Sequence, residues 1–149
     1  MNTILVETIK EDDFVSLHSL FVEFATFENL THRMTNTVDR MLAEKDWIKG
    51  FVAKNSDGEI VAYTTHFFSY HTFVGKCLYM DDLYVCPQYR GQGLGTKLIN
   101  KVIDVATENK CSRLRWQVSS WNEPAIGFYK NLGAVIDEVE RSVDLFLEK

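Results

Sequence analysis

Only two of the 149 residues are proline, eight are glycine and three are cysteine. So little proline and glycine excludes collagen-like and linker-rich chains, and 46% apolar with 25% charged residues is the composition of an ordered globular protein. Cys77, Cys86 and Cys111 are odd in number and lack zinc-site or redox spacing, so neither a disulfide framework nor a metal site is indicated, and buried free thiols are expected. No apolar run approaches the ~20 residues that cross a bilayer. The stretch from Met1 to Asp13 turns acidic where a secretory signal would be apolar, which makes the cytoplasm the expected location. Basic charge is also scarce: a formal net charge of -5 argues against general affinity for nucleic acid or anionic membrane and suits a cationic partner better.

The length fits a single domain, 1–149, able to bury roughly 70% of the surface its unfolded form exposes. No repeat or low-complexity segment interrupts it. Ile4, Val6 and Thr8 alternate with Leu5, Glu7 and Ile9 as in a strand, and Phe14, Leu17, Phe21 and Phe24 recur at helical spacing to about Ala25. A short helix is expected from Thr37 to Ala43, with Asn36 or Thr35 able to cap it. Trp47 to Lys54 and Ile60 to Phe68 read as strands joined by the turn residues Asn55 to Gly58, and a third strand follows from about Lys76 to Val85. Leu94, Leu98, Val102, Val105 and Ala106 then stripe a helix. Arg113 to Val118 reads as a strand, Glu123 to Leu132 as a helix closed by Gly133, and Val135 to Val139 with Val143 to Leu147 as a final hairpin. The sum is a mixed α/β domain, most simply a sheet with helices on both faces.

The most informative segment is Gln88-Tyr89-Arg90-Gly91-Gln92-Gly93-Leu94-Gly95-Thr96, between a strand and an amphipathic helix. Unpaired N–H groups at a helix start, with the helix dipole behind them, can hold a phosphate, and glycine lets that phosphate approach the backbone. The third glycine of a dinucleotide fingerprint would fall at Thr96, and no Gly-Lys-Ser/Thr triplet is present, so both familiar phosphate loops are excluded. Arg90-x-x-Gly93-x-Gly95 remains, as a phosphate cradle or as a tight turn with purely steric glycines.

That motif, preceded by Tyr79-Met80-Asp81-Asp82-Leu83-Tyr84-Val85, resembles the signature by which Gcn5-related N-acetyltransferases (GNAT) hold the pyrophosphate of coenzyme A. Trp121 to Tyr129 and Gly133-Ala134 resemble the second half of that fold, and the likeness is tightest to the diamine (spermidine/spermine) acetyltransferases, collinear from about Phe21 to Phe146. The resemblance implies a GNAT fold, with a mostly antiparallel splayed sheet flanked by helices, and acetyl-CoA as the donor. Leu83, Tyr84 and Val85 would line the pantetheine arm, Arg90, Gly91, Gln92, Gly93, Leu94, Gly95 and Thr96 would serve the pyrophosphate, and Asn122 and Tyr129 would lie near the sulfur.

An amine of pKa near 10 must lose a proton before it attacks. Asp81 stands where the diamine enzymes carry a glutamate and is the candidate base, one methylene shorter, through water or directly. Asp82 is expected to face the opposite way with a structural role. Tyr129 matches the family's general acid. A covalent route through Cys86 lacks an adjoining histidine, and the resemblance implies direct transfer in a ternary complex. Phe27 and Glu28 match the acceptor site, where Glu28 would meet a distal amine; Arg141, standing near an acid of those enzymes, argues against long polyamines. The expected acceptor is a small di- or polyamine or a diamine-like amino acid. Lysine, thialysine or a protein lysine is the alternative within the class, and a non-catalytic acyl-CoA sensor is the alternative outside it. Tyr63, His66, Phe67, Phe68, Tyr70, His71 and Phe73 crowd the middle strands, where core packing and an aromatic surface for a homodimer are expected.

Overall fold

The computed structural model describes residues 3–147. These fall into two compact units, one through Gln117 and one from Val118 onward.

The first unit holds one sheet of five strands in the order β1 (Leu5–Thr8), β2 (Lys49–Lys54), β3 (Ile60–His71), β4 (Gly75–Val85) and β5 (Arg113–Arg115). Neighbours are antiparallel except β4 and β5, which are parallel and therefore need a crossover, supplied by the helix α3 (Leu94–Glu108). Two further helices, α1 (Phe14–Phe27) and α2 (Val38–Ala43), lie between β1 and β2 in sequence.

Local chemistry sets several of these boundaries. The β2–β3 turn is built by Asn55, whose Oδ1 accepts from the N–H of Asp57 and of Glu59, so its side chain does the work of a backbone carbonyl. Before α1, Asp13 is buried, accepts from the Lys10 N–H at 2.8 Å and pairs with Lys54 Nζ at 2.8 Å, which also meets Glu7 at 2.7 Å. That triad ties the start of α1 to β1 and β2. The cap of α2 is Thr37, not Asn36 or Thr35: Thr37 is the last residue with extended backbone, and its hydroxyl accepts from the Arg40 N–H at 3.1 Å. Asn36 instead accepts from the Thr37 N–H.

Alternation along the strands divides the core in two. Val52 and Tyr63 face each other across β2 and β3, and Tyr63 faces Tyr84 across β4; this row packs with Phe14, Leu17 and Leu20 of α1 and Met41 of α2. The next row, Ala53 and Ala62, packs with Leu94 and Leu98 of α3. Helices therefore cover both faces, as the apolar stripes require. At Gly50 the sheet tolerates no side chain, since an added Cβ would lie 2.0 Å from the Thr64 carbonyl oxygen.

Two features of β4 shape everything that follows. Its pairing with β3 shifts register between Thr65 and His66, which face Asp82 and Met80, so Asp81 is an extra residue in the strand. Its pairing with β5 covers only Cys77, Leu78 and Tyr79. Sequence periodicity ran β5 on to Val118, but it stops at Arg115, and among the described residues no strand pairs with Met80 to Val85 on that side. The sheet is open there.

The second unit contains α4 (Glu123–Asn131), capped by the Asn122 side chain, which accepts from the Ala125 N–H at 3.3 Å. The hairpin expected over Val135 to Leu147 does not form: none of these residues is in a strand. Asp137 offers a physical reason. Its carboxylate accepts from the N–H groups of Val139 and Glu140, donors that a ladder would need.

Candidate active site

The open edge of β4 can be read residue by residue. The Cys86 N–H donates to the Val61 carbonyl at 2.9 Å, so the two-residue period turns the backbone of Tyr84 toward β3 and that of Leu83 and Val85 outward. The Val85 carbonyl confirms the direction by accepting from Arg90 Nε at 2.8 Å. Tyr84, expected beside Leu83 and Val85 along the donor, thus does not present its amide to that edge; its side chain turns to α1, where its hydroxyl donates to Glu23 Oε2 at 2.6 Å.

Beyond β4, Gly91 and Gly93 adopt φ of 76° and 82°, a region that L side chains rarely enter. A Cβ at either would meet no protein atom within 4 Å, so these glycines serve the turn and leave its outer side clear. Gly93 is the N-cap of α3 and the Lys97 N–H makes the helix bond to its carbonyl. The N–H groups of Leu94, Gly95 and Thr96 therefore precede the ladder, with the dipole of a 15-residue helix behind them. Leu94 gives only its backbone here, because its side chain is buried against Ala53 and Ala62. Gln92 and Thr96 are exposed. The cleared turn, the unladdered N–H groups and the open strand edge fit a ligand that carries phosphates and amide groups.

On the α1 side of the same strand stands an acidic group. Asp82 accepts from the Tyr63 hydroxyl at 2.7 Å, and the Thr64 hydroxyl donates to its carbonyl, pinning the backbone at the register shift. Burial, then the charge of Asp81, and more weakly that of Glu28 push its carboxyl up to about 7, although the Tyr63 hydroxyl pulls the other way. Asp81 is raised as well, by desolvation, though it keeps contact with solvent. The expected structural role of Asp82 is consistent with its bonds to Tyr63 and Thr64, while the bulge beside it alters its setting. The extra residue breaks strict alternation, and the two carboxyls feel each other's charge. No sequence pattern announced the bulge; the Asp-Asp pair was its only trace.

Glu28 follows α1 as its C-cap, and Phe27 sits over Tyr84 with ring centroids 6.4 Å apart. Arg90 lies above both rings, its guanidinium carbon 4.9 Å from the Phe27 centroid and 5.5 Å from that of Tyr84. Glu23 and the outward reach of Arg90 were not singled out by sequence. Cys86 is buried, and burial with the Glu23 carboxylate pushes its thiol up to about 11, so it is almost wholly protonated at neutral pH and a poor nucleophile. In the second unit, Tyr129 is buried on α4 beside Phe128, and the Asn122 side chain serves as the helix cap. Among the described residues no group of three His, Cys, Asp or Glu could hold a metal, and no helix is long and apolar enough to cross a membrane.

A strand, turn, helix and open sheet edge so arranged suit an acyl-CoA-dependent transferase. The sequence profile of the Acetyltransferase (GNAT) family matches residues 14–134, and the chain belongs to that family. It is an acetyl-CoA-dependent N-acetyltransferase. It is 36% identical over 140 residues to the thialysine N-epsilon-acetyltransferase of Mus musculus, covering 87% of this chain and 82% of that one. The thialysine N-epsilon-acetyltransferase of Caenorhabditis elegans is 31% identical over 137 residues, covering 91% and 85%. Among solved structures, an aminoglycoside acetyltransferase from an uncultured soil metagenomic sample superposes with a TM-score of 0.78 over 97% of both chains at 20% identity, a likeness of fold.

Proposed function

We propose that the protein acetylates a primary amine of a small diamine-like amino acid, of which thialysine is the type, by direct transfer between two bound substrates. The observation that supports this is the acidic setting of Asp82, whose carboxyl is raised by burial and by the charges of Asp81 and, more weakly, Glu28. Such a setting suits an acceptor with two separated cations, and thialysine is the acceptor named for relatives that share about a third of their residues with this chain.

Acetyl-CoA supplies the acetyl group. Leu83 and Val85 hold its arm through their outward backbone groups, and the turn from Arg90 to Thr96 holds its phosphates. The Asp81–Asp82 pair takes the proton from the ammonium. Asp82, tuned to about 7, is the acceptor of that proton, and the Tyr63 hydroxyl fixes its orientation. Asp81 sets the pKa of its neighbour. Tyr129 holds the proton that the leaving group takes up, and Asn122 lies near it in sequence at the start of the same helix.

Two tests arise at once. Acetyl-CoA at a hundredfold excess over Kd should stabilise the fold by ~2.7 kcal/mol. Gly93→Glu should abolish that shift, because a carboxylate would face the phosphates; a folded Gly93→Glu protein that still binds tightly would exclude this turn. For the acceptor, Glu28→Gln should raise KM for thialysine about tenfold, the worth of one charge-assisted contact, and leave a monoamine of equal length nearly unchanged. Equal effects on both amines, or no turnover of thialysine by the wild-type protein, would move the acceptor to another class, such as a peptide lysine.

A further inference from the structure

Two consecutive residues of β3 hold the same residue of β4 by different groups. The Tyr63 hydroxyl donates to the Asp82 carboxylate at 2.7 Å, and the Thr64 hydroxyl donates to the Asp82 carbonyl oxygen, also at 2.7 Å. Side chains alternate along β3, so Tyr63 reaches Asp82 from the α1 side of the sheet and Thr64 from the α3 side. Thr64 is fully buried. A carbonyl can only accept, which fixes the hydroxyl proton on that oxygen. Phe51 and Leu83 face Thr64 across the two ladders, and a valine would fill this apolar place as well, so packing does not call for the hydroxyl. The peptide that it holds matters more. The Asp82–Leu83 peptide is trans, so the Leu83 N–H lies opposite the oxygen bound by Thr64 and points to the open edge of β4. Of the outward residues Leu83 and Val85, Leu83 is the nearer in the strand to the Asp81–Asp82 pair.

We propose that Thr64 is a positioning residue for the transfer: through the Asp82–Leu83 peptide it orients and strengthens the Leu83 N–H as a donor to the thioester oxygen. This rests on the reading of the open edge as the acetyl-CoA site. When the amine adds to the thioester carbon, the carbonyl pair moves onto the oxygen, and it returns when the carbon–sulfur bond breaks and sulfur leaves with the bonding pair. A donor aimed at that oxygen is most effective when it needs no reorientation as the charge grows. Donation to a peptide oxygen also draws electron density toward it and makes the N–H of the same peptide a better donor, most of all where water is excluded. The site needs such a hold, because the extra residue Asp81 disrupts the ladder next to this peptide and Thr64 supplies a bond from outside the ladder. Tyr63 and Thr64 divide the work on one residue: the first sets the carboxyl that takes the amine proton, the second sets the peptide that faces the thioester oxygen.

The test compares wild type with Thr64→Val, which keeps the shape and removes the hydroxyl, and Thr64→Ser, which keeps the hydroxyl; Thr64→Ala serves in place of a Thr64→Val protein that does not fold. Infrared spectra of acetyl-CoA labelled with 13C at the thioester carbonyl read the donor. Bound to wild type, that carbonyl should absorb below free acetyl-CoA; Thr64→Val should give back part of the displacement, and Thr64→Ser should keep it. With thialysine as acceptor, kcat should fall about three- to tenfold in Thr64→Val, the worth of one buried hydrogen bond, and stay within about twofold of wild type in Thr64→Ser. The KM for acetyl-CoA should change little, and the midpoint of the rise of kcat/KM with pH should stay in place, because Tyr63 still holds the carboxyl. An equal carbonyl displacement in wild type and Thr64→Val overturns the proposal, and so does a moved midpoint, which would make the hydroxyl a mere support of the bulge. The Leu83 amide resonance in 15N NMR separates this role from the reading beneath it. If acetyl-CoA binds wild type without moving that resonance, the edge is not the thioester site and the reading itself fails. If acetyl-CoA moves it equally in wild type and Thr64→Val, the edge stands and the role of Thr64 falls. The infrared and NMR readings need no acceptor, so they decide the matter whichever amine is the substrate.

Discussion

Replacing Asp82 by asparagine is expected to lower kcat/KM by about 10²- to 10⁴-fold, the range of a lost general base, while making the folded protein more stable at neutral and alkaline pH. The first effect follows from the role: a carboxyl at about 7 is half ionised near neutrality and can both accept and release a proton. Wild-type kcat/KM should rise with pH through about 7, as the carboxyl ionises. Asp81→Asn removes a charge that raises Asp82, so its rising limb should move to lower pH with most of the plateau retained. If Asp81→Asn instead removes the activity and Asp82→Asn keeps it, the base is Asp81.

The second effect has a definite sign. Folded Asp82 holds its proton to about 7, whereas the ordinary carboxyl releases it near 3.8. Between those values the folded state binds the more protons, so stability falls as pH rises, and the deficit is complete above about 7. Asparagine does not titrate and can still accept from the Tyr63 hydroxyl. The gain in Tm of Asp82→Asn over wild type should therefore grow from pH 4 to pH 7 and then level off. A gain that does not depend on pH would mean that Asp82 ionises normally.

Tyr129→Phe is expected to lower kcat by roughly ten- to a thousandfold, as for a lost general acid. The phenyl ring keeps the place beside Phe128, so stability and acetyl-CoA affinity should change little. The comparison is made at saturating concentrations of both substrates, where altered binding cannot imitate lost chemistry. Unchanged turnover there would remove Tyr129 from the reaction.

What the sequence disclosed about this fold follows the range of the forces involved. The Asn55–Gly58 turn, the start of α3 and the stripe of α1 are set by neighbours in the chain, and each was visible as a spacing. The length of β5 and the final hairpin depend on partners elsewhere. Val135 to Leu147 has strand-like residues, but Asp137 binds two backbone donors locally, a choice between alternatives that periodicity cannot weigh. The glycine turn before α3 was legible because glycine is required there by backbone angle. The acidic group was only half legible: Asp81 and Glu28 came through resemblance, whereas the tuning of Asp82 needs the bulge, Tyr63 nineteen residues away and a burial that no short window contains. Arg90 was read as a phosphate residue, and its reach to Phe27 links segments more than sixty residues apart.

The extra residue in β4 has a consequence for how this chain can vary. On one side of Asp81 the strand is in phase with Tyr84 facing α1, and on the other Met80, Leu78 and Cys77 are all fully enclosed. Losing Asp81 itself would restore a regular ladder, with Asp82 still facing Thr65 and Met80 still facing His66, whereas losing a neighbour would exchange interior for exterior along half of the strand. The pairing thus survives both substitution and loss at position 81, and what either alters is the acid beside it. Descendants of this protein can change that acidity by substitution or deletion at this one point, but not by deletion elsewhere in the strand.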